Sequence, residues 1–256
     1  MAWVYTAFPN MKVFVVVPAA GLGTRMSAVS GGAKSKSKQF FELQGTPILV
    51  HTLRKFEDCD RVSEIVVALR PNEKSGFQSM IAREGFRKPI RVVEGGQHRQ
   101  NSVANALASI SAEAEDIVLV HDAVRPFVDQ ETILGVIEGV QKYGAAIAGI
   151  PAVDTIKQVE RTADGAVVIA TVPREKMVMA QTPQGFRFGL LKQAFDEAIA
   201  DGFLGTDEAS LIERKGEPVH VVMGSPRNIK ITTPGDLEIA ELYISQDDRR
   251  KVSLTG

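Results

Sequence analysis

The chain has 256 residues, 44% of them hydrophobic, enough to bury the core of one large domain. Its formal net charge of −1 gives no electrostatic footing for nucleic acid or an anionic membrane surface, and no apolar run approaches the roughly 18 residues needed to span a bilayer. The single cysteine, Cys59, stands between Asp58 and Asp60, which excludes an internal disulfide and a cysteine-rich metal site and disfavours a reactive thiolate.

Residues 1–11 read as a flexible extension. The opening MAWVYTAFPN has neither a basic residue nor a long apolar core, unlike a signal or transit peptide, so the expected location is cytoplasmic. A β-branched strand at 12–18 ends on Pro18 and runs into a loop with Ala19, Ala20, Gly21, Gly23 and Arg25. Small residues there let main-chain N–H groups approach a phosphate or a base edge, and Arg25 adds a planar cation. Met26 occupies the third position of G-x-G-x-x-G and no P-loop occurs, so this is either a nucleotide loop of another kind or a plain turn after a buried strand. Residues 27–37 form a flexible-looking loop in which Lys34 and Lys36 read as solvated. Lys38 differs, because Gln39, Phe40 and Phe41 follow it as anchors.

Further strands are expected at 63–69, 90–93, 116–121 and 145–150, with helices such as 48–56 and 99–110 between them. That alternation predicts one α/β domain over 12–245, with a mostly parallel twisted sheet flanked by helices on both faces. Two strands at 154–160 and 166–172, joined by 161–165 with its Asp164-Gly165 turn signal, break the rhythm as a hairpin. A two-stranded ribbon is marginal alone, so an arm at about 152–175 packing on a second subunit, as a homodimer, is expected. The alternative is an edge hairpin lying on its own domain. Thr206 reads as an N-cap before the acidic turn Asp207-Glu208, and Thr233-Pro234 opens a helix through about Tyr243, leaving 246–256 as a tail.

Ligands in open parallel sheets bind at the carboxyl ends of the strands, so the residues after each strand nominate a site. After the first strand come Pro18 and the 19–25 loop. After 90–93 come Gly95, Gly96 and Gln97, with the Ser102 hydroxyl in the next helical turn. After the 117–120 part of the next strand come His121, Asp122, Ala123 and Arg125, where a carboxylate suits a ribose hydroxyl or Mg²⁺ but also suits a simple cap or turn. Arg174 follows the hairpin and Lys230 precedes the last helix. There is no Ser-His-Asp order and no histidine metal cluster, and the four histidines read as structural. Cations, one carboxylate and hydroxyls suit an anionic phosphate substrate handled by positioning and electrostatics.

The ordered motifs PAAGLGTRM, KQF, EGGQHRQNSV, VHDAVRPFV, DTIKQV, AQTPQGF, TDEASLIE and NIKITTPGDLEIAE resemble those of the 2-C-methyl-D-erythritol 4-phosphate cytidylyltransferase family of the non-mevalonate isoprenoid pathway, over residues 12–243. The resemblance implies a Rossmann-like nucleotidyltransferase fold with a β-arm and transfer of CMP from CTP to methylerythritol phosphate with Mg²⁺. It implies CTP contacts at Pro18, Ala19, Ala20, Gly21, Gly23, Gly95, Gly96, Gln97, Ser102, Asp122 and Ala123, with Asp122 also near the metal. Arg25, Lys38 and Lys230 would neutralise the triphosphate and the transition state. Arg125, Thr182, Thr206 and Thr232 would meet the acceptor, and Thr155 and Arg174 would come from the partner's arm.

Two positions depart from the family pattern. Ser37 replaces the usual proline before the lysine-glutamine pair in a lengthened loop, which leaves Lys36 as a competitor to Lys38. Gln97 stands where some members carry aspartate, so the base contact there would fall to the backbone. The rival readings are a cytidylyltransferase for another polyol phosphate such as ribitol 5-phosphate, and a non-catalytic nucleotide-binding protein. The pair Ala19-Ala20 favours methylerythritol phosphate over ribitol phosphate. The joint presence of Arg25, Asp122, Arg174 and Lys230 favours catalysis over mere binding.

Overall fold

The computed structural model describes residues 11–21 and 37–254, with side chains to Asp247. Residues 1–10 of the expected 1–11 extension, with Gly23, Arg25, Lys34 and Lys36, lie outside the described residues, whereas Met11 is half-buried and packs against the core ahead of β1. In chain order the elements are β1 (Val13–Pro18), β2 (Glu42–Leu43), β3 (Thr46–Pro47), α1 (Ile48–Glu57), β4 (Glu64–Leu69), α2 (Pro71–Glu84), β5 (Ile90–Glu94) and α3 (Arg99–Ser109). There follow β6 (Ile117–Val120), α4 (Gln130–Tyr143), β7 (Ala145–Pro151), β8 (Ile156–Thr162), β9 (Gly165–Val172), β10 (Val178–Arg187), α5 (Phe188–Ala200), α6 (Glu208–Arg214), β11 (His220–Met223) and α7 (Pro234–Leu254).

Seven strands form the central sheet in the order β11-β7-β10-β6-β1-β4-β5. All neighbours are parallel except β10, which runs antiparallel between β6 and β7. The unbroken apolar run of β1 follows from burial on both faces. Val13, Val15 and Val17 join Leu53, Phe56, Phe77, Ile133 and Ile137 under α1, α2 and α4. Phe14 and Val16 join Val103, Leu107, Leu191, Phe195 and Ile212 under α3, α5 and α6. A third cluster of Leu43, Ile48, Val124, Phe127, Ile231 and Ala240 seats α7 beside the loop that follows β6.

The hairpin β8-β9 forms a two-stranded sheet of its own and pairs with no strand of the main sheet among the described residues. Val159, Val167, Val168 and Ile169 are open to solvent, Val167 at 57% and Ile169 at 55% exposure, while Ile156 and Val172 at the base are half-buried. The arm leaves the sheet between β7 and β10, where Val178 pairs with Pro151 and the Ala152 N–H donates to the Met177 carbonyl at 3.1 Å.

Three local expectations need correction. The turn of the hairpin centres on Ala163-Asp164 rather than Asp164-Gly165. Gly165 instead opens β9 with φ of +140°, a backbone that excludes a side chain. The cap of α6 is Asp207, whose Oδ1 accepts the Ser210 N–H at 3.0 Å, so Thr206 sits one residue outside the cap, exposed. Thr233 and Asp236 do cap α7 reciprocally, but the helix runs to Leu254 rather than stopping near Tyr243. Ile244 still packs on the third cluster, and Arg227 reaches Gln246 and Asp247, so the chain beyond Tyr243 keeps contacts that hold it helical.

Candidate active site

The carboxyl ends of β1, β5 and β6 open into one cleft lined by Pro18, Ala19, Ala20, Gly21, Lys38, Gln39, Gly96, Gln97, His98, Arg99, Ser102, Asp122, Ala123, Val124 and Lys230. The floor is backbone held by ladder bonds carried past the strand ends. Ala19 N–H donates to the Ala68 carbonyl and Gly95 N–H to the Leu69 carbonyl, each at 2.8 Å. Gln39 is buried and its Nε2 donates to the Ala19 carbonyl at 2.6 Å, while Phe40 packs against Phe77. These two anchors place Lys38 in the cleft lining. Ser37, in the proline position, donates its hydroxyl to Glu73 and accepts from Arg70, a polar substitute for proline's rigidity at the start of that turn.

Gly95 and Gly96 are required by close approach. A Cβ on Gly95 would stand 2.3 Å from Ala20 Cβ, and one on Gly96 would stand 2.2 Å from Asn101 Cβ. Ser102 braces this turn from behind, accepting the Gly96 N–H at 3.0 Å and donating to the His98 carbonyl at 3.2 Å.

Asp122 sits at the electrostatic centre. Its Oδ1 meets Arg99 Nε at 3.3 Å, and its Oδ2 meets Lys230 Nζ at 2.8 Å and Arg125 Nε at 3.4 Å. Burial acts to raise the Asp122 pKa, but Arg99, Lys230 and Arg125 outweigh it and hold the carboxyl well below the usual carboxylate range. Arg99 also grips Glu208, its Nη1 lying 2.6 and 2.8 Å from the two carboxylate oxygens. Arg125 donates to the Asn228 carbonyl at 2.6 Å, and the Ile231 N–H donates to the Val124 carbonyl at 2.9 Å, which ties the Lys230 segment to the loop after β6.

A buried relay fixes Asp122 from the other side. His121 Nε2 lies 3.1 Å from the Arg125 carbonyl, which can only accept, so Nε2 carries the proton and Nδ1 is bare. The Thr182 hydroxyl, 3.0 Å from Nδ1, therefore donates to it, and its oxygen accepts the Asp122 N–H at 3.1 Å. Burial pushes His121 down to about 4, so it stays neutral at physiological pH. Thr182 thus supports Asp122 with a hydroxyl proton already committed to His121.

The remaining expected residues divide. Thr232 lies beside Lys230 and donates to Asp236 Oδ2 at 2.9 Å. Thr155 and Arg174 lie on the exposed arm outside this cleft, with Arg174 Nη1 donating to the Val153 carbonyl at 3.0 Å. Arg99 falls in the 94–99 stretch that the strand-end reading picks out but was given no role there, and Glu208 and Gln39 were not among the residues nominated from sequence.

A divalent cation is implied by the resemblance, and the donor set fits one hard ion only. Among the described residues there is no group of three or more His, Cys, Asp or Glu that could hold a metal by itself. Among the described residues that line the cleft, Asp122 is the one carboxylate, which matches Mg²⁺, an ion commonly bound by one or two carboxylates together with substrate phosphates.

Residues 13–246 match the family model described as 2-C-methyl-D-erythritol 4-phosphate cytidylyltransferase. The chain belongs to that family. The cytidylyltransferase of that name from Acidobacterium capsulatum is 59% identical over 240 residues, covering 94% of this chain and 100% of the relative. That from Solibacter usitatus is 52% identical over 241 residues, covering 94% and 98%. Among solved structures, the Francisella tularensis cytidylyltransferase superposes with a TM-score of 0.75 at 37% identity, covering 90% of this chain and 99% of that one. This is a nucleotidyltransferase fold, and the cytidylyltransferase family places an enzyme's chemistry on it. No helix among the described residues is long and apolar enough to cross a membrane.

Proposed function

We propose that this chain transfers the cytidylyl group of CTP to 2-C-methyl-D-erythritol 4-phosphate, in the cytoplasm where CTP is made, using residues 12–245 as one catalytic domain. The observation that carries the reading is Asp122 at the end of β6, ringed by Arg99, Arg125 and Lys230 and facing the Ala19–Ala20–Gly21 backbone. The ordered motifs of the family supply the substrate identities.

The acceptor phosphate is already an anionic nucleophile, so the site needs no strong general base. One of its oxygens bonds to the α-phosphorus of CTP in line as the bond to the bridging oxygen breaks, and that oxygen leaves on pyrophosphate with its electron pair. The barrier is repulsion between anions and charge growing on the leaving group. Fixed cations lower it by electrostatics without reorganising at the moment of reaction.

Lys38 and Lys230, with Arg25 beyond the described residues, take that role. Gly21, Gly96, Gln97 and Ser102, with Gly23 beyond the described residues, serve the nucleotide side, where Asp122 and Ala123 meet the ribose. Asp122 would also hold Mg²⁺ with the substrate phosphates, and the ion supplies charge neutralisation there. Arg125, Thr206 and Thr232 serve the acceptor side, and Thr182 does so by fixing Asp122 as well. Thr155 and Arg174 complete the site of the other subunit of a homodimer. Support for that assembly is the arm itself, a separate two-stranded sheet with both faces exposed.

The test is pyrophosphate release with CTP and Mg²⁺, offering methylerythritol phosphate and ribitol 5-phosphate in parallel. Turnover with the first alone is the expected result. Turnover with the second alone would discard the acceptor assignment, and silence with both in protein that binds CTP would discard catalysis.

A further inference from the structure

Glu208 opens α6 inside the TDEAS motif, where an acidic residue needs no explanation beyond the helix dipole. Its surroundings ask for more, because it is only 1% exposed and burial raises its pKa. A buried carboxylate beside a cleft built for polyanions is costly, and a buried ion pair is often no more stabilising than an apolar pair of the same volume. Stability alone therefore does not account for it.

The geometry gives it a task. Arg99 is stretched between two carboxylates, with Nη1 on both oxygens of Glu208 and Nε on only one oxygen of Asp122. The neighbouring residues make the same junction rigid. Gln100 donates to the Phe203 carbonyl at 3.0 Å and accepts the Gly205 N–H at 2.8 Å. Gln184 donates to Asp207 at 2.7 Å and accepts the Ala209 N–H at 3.1 Å. The start of α3, the segment carrying Thr206 and strand β10 are thereby locked together at Glu208.

We propose that Glu208 is a positioning residue that acts through Arg99. By engaging the Nη1 end it limits Arg99 to a single long contact with Asp122 and leaves that carboxylate available to the incoming nucleotide. This rests on the reading of Asp122 as the nucleotide-side carboxylate. In Glu208→Gln the charge that restrains Arg99 is gone, and the guanidinium turns onto Asp122 and competes with CTP.

The experiment is calorimetric titration of the full-length protein with CTP in Mg²⁺ buffer, without acceptor, beside thermal melting. Glu208→Gln is expected to melt within a few degrees of the unaltered protein yet bind CTP about tenfold more weakly, the scale on which partners of a ligand-holding residue act. In an Arg99→Gln background the same substitution should change CTP affinity less than twofold, because its intermediary is missing. A purely structural role would lower the melting temperature and leave the affinity unchanged. Unchanged affinity in Glu208→Gln, or an equal loss in both backgrounds, overturns the proposal. If Glu208→Gln does not fold, Glu208→Asp takes its place: its carboxylate stands one methylene too far back to hold Nη1 with both oxygens, so Arg99 is released, and full CTP affinity in that variant overturns the proposal equally. Failure of the unaltered protein to bind CTP would instead count against the function proposed above.

Discussion

Gly95→Ala tests the nucleotide loop through sterics alone. The added Cβ would sit 2.3 Å from Ala20 Cβ, 3.1 Å from Ser102 Oγ and 3.5 Å from the Leu69 carbonyl. Gly95 cannot retreat without losing its N–H bond to Leu69, and Ser102 is committed to Gly96 and His98. Ala20 has to yield, and since methyl carbons rest about 3.5 Å apart or more, it moves by about 1 Å. Overpacking of this kind costs about 1–3 kcal/mol, which for a domain of this size lowers Tm by roughly 2–12 °C. A misplacement of about 1 Å in a positioning element costs on the order of 10²-fold in rate. Steady-state pyrophosphate release should therefore show kcat/KM for CTP falling on the order of 10²-fold in protein that still melts cooperatively. Gly135→Ala is the control, since a Cβ in the middle of α4 meets nothing within 4 Å. It should leave kinetics intact and stabilise by up to about 1 kcal/mol. Wild-type kinetics in folded Gly95→Ala would refute the idea that the Ala20–Gly21 backbone touches the nucleotide.

Lys230→Ala removes the closest cation from Asp122 and should fold normally while losing about 10²–10³-fold in kcat, measured by the same assay; near-normal turnover removes Lys230 from the mechanism. Stability should fall with acid through His121. Its folded pKa of about 4 lies below its ordinary 6.5, so the unfolded chain binds the proton first. The contribution is complete above about pH 7, shrinks through the window between 6.5 and 4, and totals about 3 kcal/mol. Urea unfolding at a series of pH values checks the slope, and an imidazole that titrates near 6.5 by NMR contradicts it. If the chain is the homodimer proposed above, Ile169→Asp on the arm should give monomers in sedimentation measurements and cut turnover, while leaving the melting of the main sheet unchanged. A mass of two subunits in the variant would refute the arm as the contact.

Periodicity and punctuation carried most of the fold, for reasons visible residue by residue. The β-branched runs of β1 and β4 are buried on both faces, so they stand out as continuous apolar stretches, and the loops after β1, β5 and β6 could be read as a site by position. β10 was illegible because Pro183 and Gly185 interrupt it and its register shifts between Ala180 and Gln184, features that ordinarily argue against an interior strand. Thr182 came out by family likeness, but its partner His121 read as merely structural, since only the fold brings residues 61 positions apart into contact. Glu208 was hidden for a similar reason. At the first turn of a helix, an acid that faces solvent and an acid buried against Arg99 look the same in sequence.

The root of the arm gives it an independence that its length conceals. Because Pro151 and Val178 are already cross-strand partners, everything between them is an insertion whose two ends meet, much as a loop tip does. Its length and sequence can drift without retuning the register of the sheet beneath. In that sense, the arm and the cleft can vary as nearly separate parts of one chain. In the homodimer proposed above, they would meet again where the arm offers Thr155 and Arg174 to a neighbour's cleft.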